Sequence, residues 1–228
     1  MITARVGVHP ADWELAGGVR VRSTGWAQGD MAGAGPTVAA RRRSVIDLPW
    51  TVLRQVHGAR VVVTDSPGGA SGEPADGAVT TVNGAAIAVL TADCAPVALA
   101  SPEGVLGVAH AGWRGLRAGV IESTVQAMRR LGATKVDAVL GPCIHPCCYD
   151  FGEDDLAEMT SRLGPQVSSV DTSGRPALDL PAGVRSALHA AGATFVGDVS
   201  VCTSCSDRHW SWRSDHTPRR EATVVWRQ

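Results

Sequence analysis

Short apolar runs of strand length, set around one amphipathic repeat, constrain this chain more than any other feature. Residues 85–90 (AAIAVL), 105–109 (VLGVA) and 136–140 (VDAVL) are each five or six residues long and are punctuated by Gly and Pro. Runs of that kind read as buried strands. Between the second and third, Leu116, Val120, Thr124, Ala127, Met128 and Leu131 recur at three- and four-residue spacing. That spacing predicts a helix over 116–131, stopped by Gly132. Further helices are predicted over 153–163 and 181–191, and further strands over 60–64, 196–201 and 222–226, with Trp210-Ser-Trp212 alternating between the last two. Strands and helices interleave, so the expected class is α/β (α+β), a single domain spanning 1–228. Residues 25–36 and 66–74 read as surface loops.

With 44% hydrophobic residues in 228, the chain can bury one sizeable core. Its formal charge of −1 gives no broad field toward nucleic acid or an anionic membrane, so neither is expected as a partner. No apolar run approaches the roughly 20 residues a membrane-spanning helix needs. The first 20 residues show no basic region leading into an apolar stretch, so the expected location is the cytoplasm. There the six cysteines (94, 143, 147, 148, 202 and 205) are expected to be thiols or metal ligands rather than disulfides.

Three segments carry the chemistry: Gln55-Val-His57-Gly58, Thr91-Ala-Asp93-Cys94-Ala-Pro96 and Ala109-His110-Ala-Gly-Trp-Arg114-Gly115. Cys94 and His110 each follow an apolar strand and are expected at strand C-terminal ends, where open α/β sheets place ligands. One thiolate and two imidazoles suit Zn²⁺, and three protein ligands leave a fourth tetrahedral position free. Taken singly, a buried cysteine is more often a small core residue and a histidine a satisfied polar one. The spacing of the three matches no zinc-finger pattern. Arg114 lies where a strand turns into a helix, a place suited to gripping phosphate. Asp76 and Asp93 read either as acid–base groups or as turn residues. Cys143, Cys147 and Cys148 with His145, and separately the Cys202-Thr-Ser-Cys205 pair, read as further possible metal ligands without a catalytic role.

Together, QVHG, ADGAVT, TADCAPVAL, GVAHAGWRG, GPCI, YDFG and the terminal SWRSDHTPRRE resemble the purine nucleoside phosphorylase family. That family is also known as the multicopper polyphenol oxidoreductase (laccase-like) or peptidoglycan editing factor family. The resemblance covers the chain from about Arg20 to its end. It implies a sandwich of mixed sheets flanked by helices, with zinc held by His57, Cys94 and His110. It also implies phosphorolysis of adenosine, inosine and methylthioadenosine, and deamination of adenosine. Gln55, Arg114 and Arg213 are expected to contact nucleoside or phosphate. The family's paired C-terminal arginines are reduced here by Ser214, and its early loop reads STGWAQGD. These departures bear on substrate contacts and leave the metal set intact.

Zinc-assisted nucleoside chemistry is the leading expectation, with Asp93 protonating the departing base. A second reading makes Cys94 the nucleophile of an amidase-like editing hydrolase, with His57 or His110 as base. A third places copper at the same residues as a phenol oxidase; it ranks last, because laccase chemistry needs several coppers held mainly by histidines. The sequence sets no oligomeric state.

Overall fold

The computed structural model describes residues 5–6 and 12–228, so the stretch read above for a targeting signal lies partly outside the described residues. In chain order the strands are β1 (Arg5–Val6), β2 (Asp12–Leu15), β3 (Val19–Ser23), β4 (Trp50–Val52), β5 (Val61–Val63), β6 (Gly77–Thr80), β7 (Ala86–Thr91) and β8 (Ala95–Ala100). They continue with β9 (Leu106–Ala111), β10 (Asp137–Leu140), β11 (Ser168–Val170), β12 (Pro176–Leu178), β13 (Thr194–Asp198) and β14 (Glu221–Trp226). The helices are α1 (Pro36–Val45), α2 (Trp113–Ala118), α3 (Val120–Arg130), α4 (Glu153–Leu163), α5 (Leu180–Ala190) and α6 (Trp212–Asp215).

Two six-stranded mixed sheets result, ordered β1-β2-β3-β14-β7-β4 and β13-β10-β8-β9-β6-β5. The β4–β7, β5–β6 and β10–β13 pairs are parallel. Their facing surfaces share a core that includes Leu15, Val21, Ile87, Val89, Leu106 and Val108. Helices α2, α3, α4 and α5 cover the outer face of the second sheet through Leu116, Ile121, Met128, Met159 and Leu188. Met31 and Val45 cover the outer face of the first, against Val224 and Trp226. The expected α/β class therefore holds, as a double sheet between helical layers.

Side-chain alternation now places the chemistry. Successive residues of a strand face opposite ways. Leu106 and Val108 point between the sheets and Ala109 and Ala111 toward the helices, so His110 belongs to the inter-sheet face at one end of the sandwich. Ala78 of β6 also points between the sheets, which puts Asp76, just before that strand, on the same side. The chain crosses from one sheet to the other between β7 and β8, and Cys94 lies on that crossing.

Several expectations need correction. The helix expected over 116–131 begins at Trp113 and breaks at Gly119, whose φ of 87° closes α2 and opens α3; glycine occupies that left-handed region without a Cβ clash. Trp210-Ser-Trp212 is not a strand: Ser211 accepts from the Ser214 amide and caps α6, leaving Trp210 buried and Trp212 half exposed. Cys94 follows the C-terminal end of β7 and immediately precedes β8, in the connection between them. Among the described residues no helix is long and apolar enough to cross a membrane.

Ile87 is fully buried between the sheets. Ile87→Ala should therefore destabilise the protein by about 2–5 kcal/mol, read as a lower midpoint in denaturant with an unchanged slope.

Candidate metal centre

One buried carboxylate builds the centre. Asp76 is inaccessible to solvent, and its oxygens accept hydrogen bonds from the backbone N–H groups of Val56, His57 and Gly58, the last two at 2.9 and 2.7 Å. Three successive amides wrap one carboxylate only if the chain bends sharply there, and His57 accordingly has φ 60°. A non-glycine residue in that region costs about 1–3 kcal/mol, offset here by the charge-assisted bonds to Asp76.

The same carboxylate fixes His110, whose Nδ1 lies 2.8 Å from Asp76 Oδ1. Burial opposes ionisation of Asp76, yet the His110 hydrogen bond and the Gly58 and His57 amides hold its carboxyl below the ordinary range. An ionised carboxylate only accepts, so Nδ1–H of His110 donates to it and Nε2 is the nitrogen left for another partner. A carboxylate orienting a ligating histidine in this way is the usual support of a metal site.

His57, Cys94 and His110 each bring one ligand atom within 4.8 Å of the others. Cys94 Sγ is 3.8 Å from His57 Nε2, and the two imidazole centroids are 4.7 Å apart. Burial resists ionisation of the Cys94 thiol, but His110 and His57 outweigh it and bring its pKa down to about 6. Burial also resists charging of His110, which the Cys94 thiolate and Asp76 reverse, raising it to about 9. Mutual stabilisation of a thiolate and an imidazolium marks a place built for concentrated charge. Soft and borderline donors of this kind fit Zn²⁺, and also copper. Gly112 makes room for them: a Cβ there would lie 2.8 Å from Cys94 Sγ and 3.2 Å from His57 Cδ2.

A cavity of about 560 Å³ opens over the three donors, a size suited to a small molecule. Gln55, Asp93, Arg114 and Arg213 all line it, in different ways. Gln55 pairs both amide atoms with the Leu90 backbone, at 2.7 and 2.8 Å, and so extends the first sheet. Asp93 accepts from Thr203 Oγ1 and from the Arg213 amide, both at 2.7 Å. Its carboxylate ties down the C-terminal segment with both oxygens engaged, and its φ of 90° is held by that tie. Arg213 donates to Asp150 and lies over the Tyr149 ring. Arg114, in the first turn of α2, stacks on Trp113 at 4.3 Å. Among the described residues its guanidinium makes no hydrogen bond.

The sequence reading passed over four lining residues. Trp113, Tyr149, Trp212 and Arg220 complete the walls, and Arg220 lies over Trp212. Trp113 and Tyr149 sat inside the quoted HAGWRG and YDFG strings, and their size and polar tips were the available signal. A second cavity of about 710 Å³, bordered by Glu122, Arg162 and His189, lies among the helices; among the described residues no three metal-ligating groups converge there.

Fold and site define a class: a double-sheet α/β protein presenting two imidazoles and a thiolate to a small-molecule cavity. The sequence profile of the family described as multi-copper polyphenol oxidoreductase laccase matches residues 23–228, and the chain belongs to that family. It is 43% identical to a purine nucleoside phosphorylase of Streptomyces griseus over 85% of this chain and 80% of that one. A purine nucleoside phosphorylase of Streptomyces coelicolor is 41% identical over 89% and 86%. Among solved structures, a Neisseria meningitidis protein superposes with TM-score 0.83 at 28% identity, covering 96% of this chain and 98% of that one. The YlmD protein of Geobacillus stearothermophilus superposes with TM-score 0.79 at 27% identity over 98% and 95%.

Asp76→Asn replaces an acceptor-only group by an amide that cannot receive all four N–H donors. Zinc affinity, measured by competition with a chromophoric chelator, should fall roughly 10- to 100-fold; unchanged affinity would show that the carboxylate does not orient the ligands.

Proposed function

We propose that this chain is a zinc-dependent purine nucleoside phosphorylase, acting on adenosine, inosine and methylthioadenosine in the cavity over His57, Cys94 and His110. The observation that carries the reading is the free guanidinium of Arg114 in the same cavity as three converging metal donors. The names of the Streptomyces relatives support it independently.

In phosphorolysis a phosphate oxygen bonds to ribose C1′ while the C1′–N9 bond breaks. The purine leaves with the bonding electrons and takes up a proton, giving free base and ribose 1-phosphate. His57, Cys94 and His110 would hold a divalent ion, which would supply Lewis-acid chemistry to the reaction. Arg114 binds phosphate through its planar fork of N–H donors, and stacking on Trp113 holds that fork in place. The aromatic faces of Trp113, Tyr149 and Trp212 offer a purine apolar contact. With both oxygens engaged, Asp93 acts as a positioning residue that holds the Arg213 segment against the cavity, in place of the acid role expected for it. Gln55 sets the cavity edge through the Leu90 backbone.

One observation favours a second reading. A thiol with pKa about 6 beside a histidine 3.8 Å away is also a cysteine nucleophile. Iodoacetamide separates the two: in the zinc-loaded protein Cys94 should resist alkylation, and its rapid modification there would favour the nucleophile.

Adenosine incubated with phosphate should give adenine and ribose 1-phosphate, and without phosphate should stay intact. Inosine formed without phosphate would make the protein a deaminase instead. Cys94→Ala should lose the zinc of this cavity and turnover together. Arg114→Gln removes a charged donor worth about 1.5–3 kcal/mol, so KM for phosphate should rise roughly 10- to 100-fold while KM for the nucleoside changes little.

A further inference from the structure

The cysteines outside the cavity form a site of their own. Cys147 and Cys148 lie in one short 3₁₀ turn, Pro146–Cys148, and Cys202 and Cys205 in a turn closed by the Cys205 amide donating to the Cys202 carbonyl. The two turns are more than 50 residues apart in sequence, yet their four Sγ atoms all fall within 4.8 Å of one another. Cys205 Sγ lies 3.4 Å from Cys147 Sγ and 3.1 Å from Cys148 Sγ. Sequence spacing had set these residues in two separate groups, with Cys143 and His145 in the first. The structure joins the outer pairs and leaves the Cys143 thiol and the His145 ring outside the group. Backbone contacts bring the segments together: the Thr203 amide donates to the Cys143 carbonyl, and the Cys143 amide to the Val201 carbonyl.

We propose that Cys147, Cys148, Cys202 and Cys205 form a second metal site, a closed four-thiolate zinc site that is structural rather than catalytic. Tetrahedral zinc with Zn–S of about 2.3 Å sets its sulfurs roughly 3.8 Å apart, and four atoms mutually within 4.8 Å need only small rotations to reach that. Two turns each presenting a pair of cysteines, one pair spaced CxxC, is the ligand arrangement of such sites. The His145 amide aims at Cys202 Sγ at 3.4 Å, the kind of N–H contact that supports a ligating thiolate. None of the four cysteines lines the cavity over Cys94, so the two sites are separate.

Its position explains what it does. The chain from Val199 to Arg220 contains only the four-residue α6 as regular structure, yet it supplies Trp212, Arg213 and Arg220 to the cavity wall. Thr203, held between two of the ligands, donates to Asp93, and Tyr149, next to Cys148, also lines the cavity, with Arg213 over its ring. Zinc at the four thiols ties these two segments to each other.

Metal analysis of protein purified without added metal tests this. The wild type should carry two zinc ions per chain, and Cys94→Ala one. The double variant Cys147→Ser/Cys205→Ser should lose the structural ion. Should that variant fail to fold, cobalt reconstitution of Cys94→Ala still decides: intense thiolate-to-cobalt charge-transfer absorption is expected from the four remaining ligands. Zinc retained in Cys94→Ala but lost from the double variant would support this site even if the cavity held no metal. A single ion in the wild type that vanishes in Cys94→Ala, with no charge-transfer band on cobalt addition, would overturn it.

Discussion

Everything at the cavity floor hangs on the buried Asp76 carboxylate, which among the described residues pairs with no arginine or lysine. Water is replaced there by three backbone amides and one imidazole N–H. Removing any of them would leave a buried charge short of partners. The bend at His57, the tautomer of His110 and the separation of the two rings thus form a single arrangement. Asp76 and His110, 34 positions apart in sequence, are bridged twice, by the ring and by the His110 amide donating to the Asp76 carbonyl at 2.7 Å.

The double sheet makes that arrangement possible. Antiparallel pairing of β6 with β9 and of β9 with β8 puts Asp76, His110 and Cys94 on neighbouring strand ends, although they are widely spaced in sequence. Gly112, without a side chain, leaves the space in which the Cys94 thiolate meets the His57 ring. The β7–β8 crossing delivers Cys94, and Asp93 on the same crossing anchors the long C-terminal return. Ligand set and cavity wall are therefore fixed by adjacent residues of one short connection.

Much of this was legible beforehand. The apolar runs at 85–90 and 105–109 became β7 and β9, and the 153–163 repeat became α4. Each signal reflects burial, which sequence records directly. Strand β8 was not recognised, because Pro96 and three alanines dilute strand character; it forms by pairing antiparallel with β9 and β10. Helix α1 escaped notice because it has no apolar stripe and is held instead by Arg41 and Arg42 donating to the carbonyls of Asp30 and Met31. The three donors were recognised from their motifs, whereas the roles of Asp76 and Gly112 were not: one acts through hydrogen bonds and the other by having no side chain, and neither has a local sequence pattern. Asp93 was read as an acid from adjacency alone, a cue blind to the direction its carboxylate points.

The central claim is that two imidazoles and one thiolate share one ion. Zinc-edge X-ray absorption on the zinc-loaded protein lacking Cys147 and Cys205 isolates that centre. The account predicts one sulfur at about 2.3 Å with two histidine nitrogens and one light atom at about 2.0–2.1 Å. A first shell without sulfur, or with histidine scattering from fewer than two rings, would contradict it.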